Sequence, residues 1–203
     1  YTCGMSVFDS TNYSMSITAT GGFAPYNDST GHFHSIAIDN VCILFMFLSG
    51  TNFTLLYMAI FKRKIMSLLH DSEFKLYISV VSLATLGIMY FLVTGNGYPV
   101  GKALHNALFQ VVSFITTTGV FNDDAGKWHH ITWVILTICM FIGACAGSTS
   151  GGFKSVRGVI LIKLVRNELK RVLHPKAVLP VKVNGHLVST SNQVTLLVFF
   201  ALY

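Results

Sequence analysis

Three apolar runs, residues 36–61, 76–93 and 131–144, constrain this chain more than any other feature. A soluble domain of 203 residues has no core large enough for runs of that length, whereas a hydrocarbon layer of about 30 Å takes about 20 apolar residues as helix. The composition agrees, with 52% of residues hydrophobic and 11% charged. The sequence therefore reads as an all-α membrane protein, because a helix pairs its own backbone groups where no water is at hand. A formal net charge of +6 would suggest nucleic acid in a soluble protein, but here the cations cluster between the apolar runs. That is a topology signal, and no nucleic-acid partner is expected. Lys62-Arg63-Lys64 follows the first run. Lys154, Arg157, Lys163, Arg166, Lys170, Arg171, Lys176 and Lys182 follow the last, against the single acid Glu168. The positive-inside rule puts residues 62–75 and 157–182 on the cytoplasmic side of a multi-pass protein in the cytoplasmic membrane. Cys3, Cys42, Cys139 and Cys145 lack metal-site spacing and read as small core residues.

Residues 103–121 do not fit the spanning pattern. An apolar helical segment runs into Thr116-Thr117-Thr118-Gly119-Val120-Phe121, too short to cross and with its hydroxyl-rich tail still at membrane depth. Non-helical backbone is tolerated there only when buried in protein or lining water. Threonines and a glycine in extended backbone can turn carbonyl oxygens toward a shared axis and replace the hydration shell of a cation. The alternative is a re-entrant turn or a helix end capped by Gly119. The pattern occurs twice: residues 4–17 form a short amphipathic helix entering Ala19-Thr20-Gly21-Gly22-Phe23, and both copies lead into a polar, Asp-containing loop. Thr20-Gly21 is equated with Thr118-Gly119, an internal repeat of the kind that builds membrane transport proteins.

The third run breaks down at membrane depth into Cys145-Ala146-Gly147-Ser148-Thr149-Ser150-Gly151-Gly152-Phe153-Lys154, and helix resumes at about 156–165. Each interior Gly costs about 1 kcal/mol against Ala, so a broken helix is expected. Three explanations stay open. Gly143-x-x-x-Gly147 and Gly147-x-x-x-Gly151 match the close-packing faces of membrane helices. Residues 147–155 mimic a nucleotide-phosphate loop, though the Lys comes one residue late and no strand precedes it. The third is an intramembrane loop lying across a pore, with Lys154 near the path. Elsewhere, the run 36–61 reads as a full span interrupted only by Ser49-Gly50-Thr51-Asn52. Trp128, His129 and His130 read as interfacial residues. Asn184-Gly185 favours a type I′ turn in a cytoplasmic hairpin. No initiator Met or signal peptide heads the chain, and the apolar run 194–203 stops before it can cross, so the sequence reads as part of something longer.

Three motifs in order, Phe109-Gln-Val-Val-Ser-Phe-Ile-Thr-Thr-Thr-Gly, Phe141-Ile-Gly-Ala-Cys-Ala-Gly-Ser-Thr-Ser-Gly-Gly-Phe-Lys and Glu168-Leu-Lys-Arg-Val-Leu-His-Pro-Lys-Ala-Val, closely resemble the membrane subunit of Trk-type potassium-uptake systems in the Trk/Ktr/HKT superfamily. The resemblance implies helix–pore-loop–helix repeats around one permeation path. Ala19, Thr20, Gly21, Gly22 and Phe23 would be the second-repeat filter, and Thr117, Thr118, Gly119, Val120 and Phe121 the third. The backbone carbonyls of Thr20, Gly21, Thr118 and Gly119 would face K⁺, which is cargo; no cofactor is implied. Residues 145–154 would be the gating loop, with Ser150 where relatives often carry Gly, an exchange expected to stiffen it. The corresponding units are residues 1–70, 71–175 and 176–203: part of a second repeat, a third repeat, and a linker into a fourth. The expected function is K⁺ uptake by a homodimer docked on a TrkA-like nucleotide-binding regulatory ring, not enzyme catalysis. The first repeat and fourth filter are missing, so K⁺/Na⁺ preference stays open, as does a non-conducting assembly or receptor subunit.

Overall fold

The computed structural model describes residues 1, 3–174 and 179–202, so Lys176 and the start of the expected hairpin segment lie outside the described residues. The helices in order are α1 (Val7–Thr18), α2 (Ile36–Ser49), α3 (Phe53–Ile60), α4 (Ile65–His70), α5 (Ser72–Asn96), α6 (Val100–Ile115), α7 (His130–Ile142), α8 (Ser155–Leu173) and α9 (Thr190–Leu202). Two short antiparallel strands, β1 (Lys182–Val183) and β2 (His186–Leu187), form the expected hairpin around Asn184 and Gly185, both at positive φ.

The longest helix, α5, is long and apolar enough to cross a bilayer. Its 25 residues reach about 37 Å at 1.5 Å per residue. Asp71 caps it by accepting from the N–H groups of Glu73 and Phe74 at 2.8 and 3.0 Å. Gly97, at φ 68°, ends it in the left-handed conformation that a side chain would resist. Phe74, Tyr77, Val81, Ile88 and Leu92 are buried along one stripe. Leu83, Leu86 and Tyr90 stand exposed on the opposite face, as on the outer face of a membrane helix. α6 spans only about 24 Å, too little to cross. It packs among α2, α5 and α7, and Ala103, Ala107, Val111 and Ile115 are fully buried.

The run 36–61 is not one straight span. α2 and α3 meet at 107° across Gly50, Thr51 and Asn52. A Cβ at Gly50 would lie 2.7 Å from the Thr116 methyl and 2.8 Å from the Tyr77 hydroxyl, so the chain bends where only glycine fits against α5 and α6. Between α7 and α8 the helix is interrupted over residues 143–154, as its composition predicts. The glycine spacing there is not a helix-packing face. Gly143, Gly147 and Gly152 have φ of 69°, 70° and 78°, outside any helix, so no small-residue ridge exists for a partner helix to meet.

Candidate functional site

The two short helices, α1 and α6, end alike. In α1, Thr20 N–H donates to Ile17 O at 3.2 Å and Gly21 N–H to Ser16 O at 2.8 Å. In α6, Thr117 N–H donates to Phe114 O at 3.0 Å and Thr118 N–H to Ser113 O at 2.9 Å. This paired closure normally places glycine at the left-handed position after the helix. Here that position is threonine in both copies, Thr20 at φ 52° and Thr117 at φ 54°. A β-branched residue in that region is strained, and such strain persists only where surrounding contacts impose it.

The hydrogen bonds also correct the repeat register. Thr20 matches Thr117, Gly21 matches Thr118, and Gly22, not Gly21, matches Gly119. Gly22 and Gly119 share positive φ, 75° and 80°, and they bring the two turns together. A Cβ on Gly22 would lie 2.2 Å from the Thr118 carbonyl oxygen, and one on Gly119 would lie 4.0 Å from the Gly22 Cα. The one-residue slip arose because Thr-Gly occurs in both copies, while the helix ends that fix the register are not marked by any residue type.

Among the described residues, the carbonyls of Thr20, Gly21, Gly22, Thr117, Thr118 and Gly119 accept no hydrogen bond. The next carbonyls in the α6 copy are occupied. Val120 O accepts from Ser113 Oγ at 2.5 Å, and Phe121 O accepts from Thr30 N–H and Oγ1 at 3.1 and 3.0 Å. Val120 and Phe121 thus hold the turn to its helix and to the segment between α1 and α2. Phe23 projects outward, 82% exposed. The C-terminal ends of α1 and α6 each carry a partial negative charge of about half an elementary charge, favouring a cation beside these carbonyls.

On one side of the paired turns lies the interrupted segment 143–154, bonded to both. Thr20 Oγ1 donates to Thr149 O at 2.9 Å, and Thr149 Oγ1 donates to Thr18 O at 3.1 Å. Gly151 N–H donates to Thr117 Oγ1 at 2.7 Å. The strained threonines are therefore the residues whose hydroxyls hold the loop. The bend between α2 and α3 grips it as well: Cys145 N–H donates to Gly50 O at 3.0 Å and Phe53 N–H to Gly147 O at 3.1 Å. Ser148 and Ser150 hydroxyls meet at 2.8 Å within the loop. Lys154, the N-cap of α8 at φ 73°, turns its ammonium back to donate to Ser150 O. Ala146 N–H donates to Glu73 Oε1, a partner that sequence reading did not single out.

A cavity of about 520 Å³ is lined by Asp28, His34, Gln110, Asn122, Asp123 and Asp124 among others. Asp123 accepts from Asn106 Nδ2 at 2.7 Å and from the Tyr98 hydroxyl at 3.1 Å. Burial, with the Asp123 charge adding to it, pushes the Tyr98 hydroxyl above its ordinary value. The side-chain hydrogen bond from Lys127 holds the exposed Asp124 carboxyl below the usual carboxylate range, with the Gly126 N–H assisting. Trp128 is only 3% exposed, so it packs under this loop and does not stand at an interface as its position suggested. His129 stacks on Phe91 at 5.7 Å.

Two short helices ending in matching turns, one helix long and apolar enough to cross a bilayer and one interrupted helix define a helical membrane protein built on a repeated motif. The chain belongs to the TrkH family of cation transport proteins, whose family model, "TrkH: Cation transport protein", matches residues 1–203. It is 36% identical to the Trk system potassium uptake protein TrkH of Salmonella typhimurium over 186 residues, covering 90% of this chain and 38% of that one. It is 33% identical to the Trk system potassium uptake protein TrkG of Escherichia coli over 201 residues, covering 98% and 41%. Among solved structures, that of the potassium transporter TrkH from Vibrio parahaemolyticus superposes with a TM-score of 0.91 at 35% identity, covering 98% of this chain and 43% of that one. The chain thus spans about two-fifths of the length of the relatives it matches.

Proposed function

We propose that this chain forms two of the walls of a K⁺-conducting path in the cytoplasmic membrane. The unpartnered carbonyls of Thr20–Gly22 and Thr117–Gly119 are the filter contribution of these two walls, and residues 143–154 are the gate on its cytoplasmic side. The observation that carries this reading is that the loop is hydrogen-bonded to both turns, through Thr20 and Thr149 and through Thr117 and Gly151, at the point where both short helices end. A loop whose only task was packing would have no need to hold two threonines at strained positive φ. Carbonyl oxygens replace part of a cation's water shell, and the helix ends add partial negative charge. The gate needs two arrangements a few kcal/mol apart, which glycine-rich backbone held by single hydroxyl bonds supplies. Residues 62–75, 157–174 and 179–182 face the cytoplasm, where the basic face of α8 docks a nucleotide-binding regulatory partner of a homodimer.

Deleting residues 147–151 in the full-length protein tests the reading. K⁺ flux without the regulatory partner should rise in reconstituted vesicles while the dimer stays folded. Unchanged or reduced flux from a folded deletion would sink the gate assignment.

A further inference from the structure

α8 begins without a cap of its own. Its N-cap residue is Lys154, a side chain that cannot accept a hydrogen bond, and at φ 73° it makes no side-chain cap. The first N–H groups of a helix must find acceptors elsewhere, and a negative charge there meets the positive end of the helix dipole. That acceptor is Glu73, in the first turn of α5 and only 5% exposed. Its Oε1 accepts from Val156 N–H at 3.2 Å and also from Ala146 N–H. One oxygen of one buried carboxylate therefore holds two points of the interrupted segment, Ala146 in the loop four residues past the end of α7 and Val156 in the first turn of α8.

We infer that Glu73 is the latch of the intramembrane loop, a positioning residue that keeps the Ala146 end of the loop on the first turn of α8 in the closed arrangement. The inference rests on the gate reading above and names the group that sets the resting state. Moving the loop stem away from α8 breaks at least one of two charge-assisted bonds, which are about twice as strong as neutral ones. It also leaves a buried carboxylate with one partner fewer, which disfavours opening further. Asp71, two residues earlier, accepts from Asn184 Nδ2 at 2.6 Å, and Asn184 Oδ1 accepts from Ser72 N–H at 3.0 Å. The turn of the β1–β2 hairpin is thus tied directly beside the latch, so displacement of the hairpin reaches Glu73 through one turn of helix.

The test uses the full-length protein in vesicles, reading K⁺ flux without the regulatory partner and dimer integrity by size. Glu73→Ala removes the acceptor and should raise basal flux about tenfold or more; Glu73→Gln keeps an acceptor oxygen without the charge and should raise it less. Graded rescue of this kind is what a merely structural glutamate would not produce. Wild-type basal flux in a folded Glu73→Ala protein overturns the latch. If the deletion of residues 147–151 nevertheless raises flux, the gate stands and only the latch has failed; if neither change raises flux, the gate reading has failed. Should Glu73→Ala not fold, amide exchange in the unaltered protein decides. Ala146 must lose protection when the partner activates transport, and Ala146 staying protected through activation would overturn the latch.

Discussion

Gly22→Ala perturbs the closest approach between the two candidate filter turns. Its Cβ would lie 2.2 Å from the Thr118 carbonyl oxygen, against an ordinary contact of at least 3.4 Å, so that oxygen must retreat by 3.4 − 2.2, or 1.2 Å. Ala at φ 75° adds about 1–2 kcal/mol of backbone strain, and overpacking adds about 1–3, together roughly 2–5 kcal/mol. If only about 1.4 kcal/mol of this falls on the K⁺-bound state and not on the Na⁺-bound one, discrimination drops about tenfold. Gly21→Ala is the matched control. It sits at an ordinary φ, and its nearest neighbour is the Phe23 ring at 3.3 Å, an exposed side chain free to move. Gly119→Ala is intermediate, with φ strain but a nearest atom at 4.0 Å. Competing K⁺ and Na⁺ fluxes through the full-length protein should rank the variants Gly22, Gly119, Gly21 in decreasing damage. Equal damage at Gly21 and Gly22, or a Gly22→Ala protein with unaltered ion preference, would refute the register and the filter geometry built on it.

Gly151→Ala places a Cβ 2.9 Å from Thr117 Oγ1, so it should loosen the loop from the turn after α6 and raise basal K⁺ flux several-fold, whereas Gly101→Ala, with nothing within 4 Å, should change nothing. Replacing Arg166, Lys170 and Arg171 by Gln should weaken docking of the regulatory partner and flatten its salt dependence in a binding assay; intact binding would leave these charges a role in topology alone. Lys127→Gln removes the first cause of the depressed Asp124 titration, so that carboxyl should move back up toward the ordinary carboxylate range in a carboxyl NMR titration. Because its folded value lies below the unfolded one, the contribution of this pair to the order of its loop is present above the unfolded value and fades as pH falls through the folded one.

Local features were legible from sequence wherever one residue type carries the physics. Hydropathy placed α5, and Asn184-Gly185 placed the hairpin turn. The glycine and hydroxyl run marked the break between α7 and α8, because a regular helix disfavours that composition. The four small polar residues 49–52 were noticed as an interruption, yet a single span was still expected across them; nothing local tells a tolerated interruption from a 107° bend.

The sequence by itself determined that this is a helical membrane protein with two copies of one short-helix motif and one broken helix, since hydropathy, helix cost and turn chemistry act over a few residues. Only the tertiary structure decided the rest. Gly22 and not Gly21 faces Gly119, the Gly50 bend receives the loop, the hydroxyls of Thr20 and Thr117 hold it, and Glu73 ties Ala146 to the start of α8. These contacts link positions 129, 34 and 83 residues apart. Such pairings are set by which backbone groups are left without partners after the helices pack, a quantity that exists only in three dimensions.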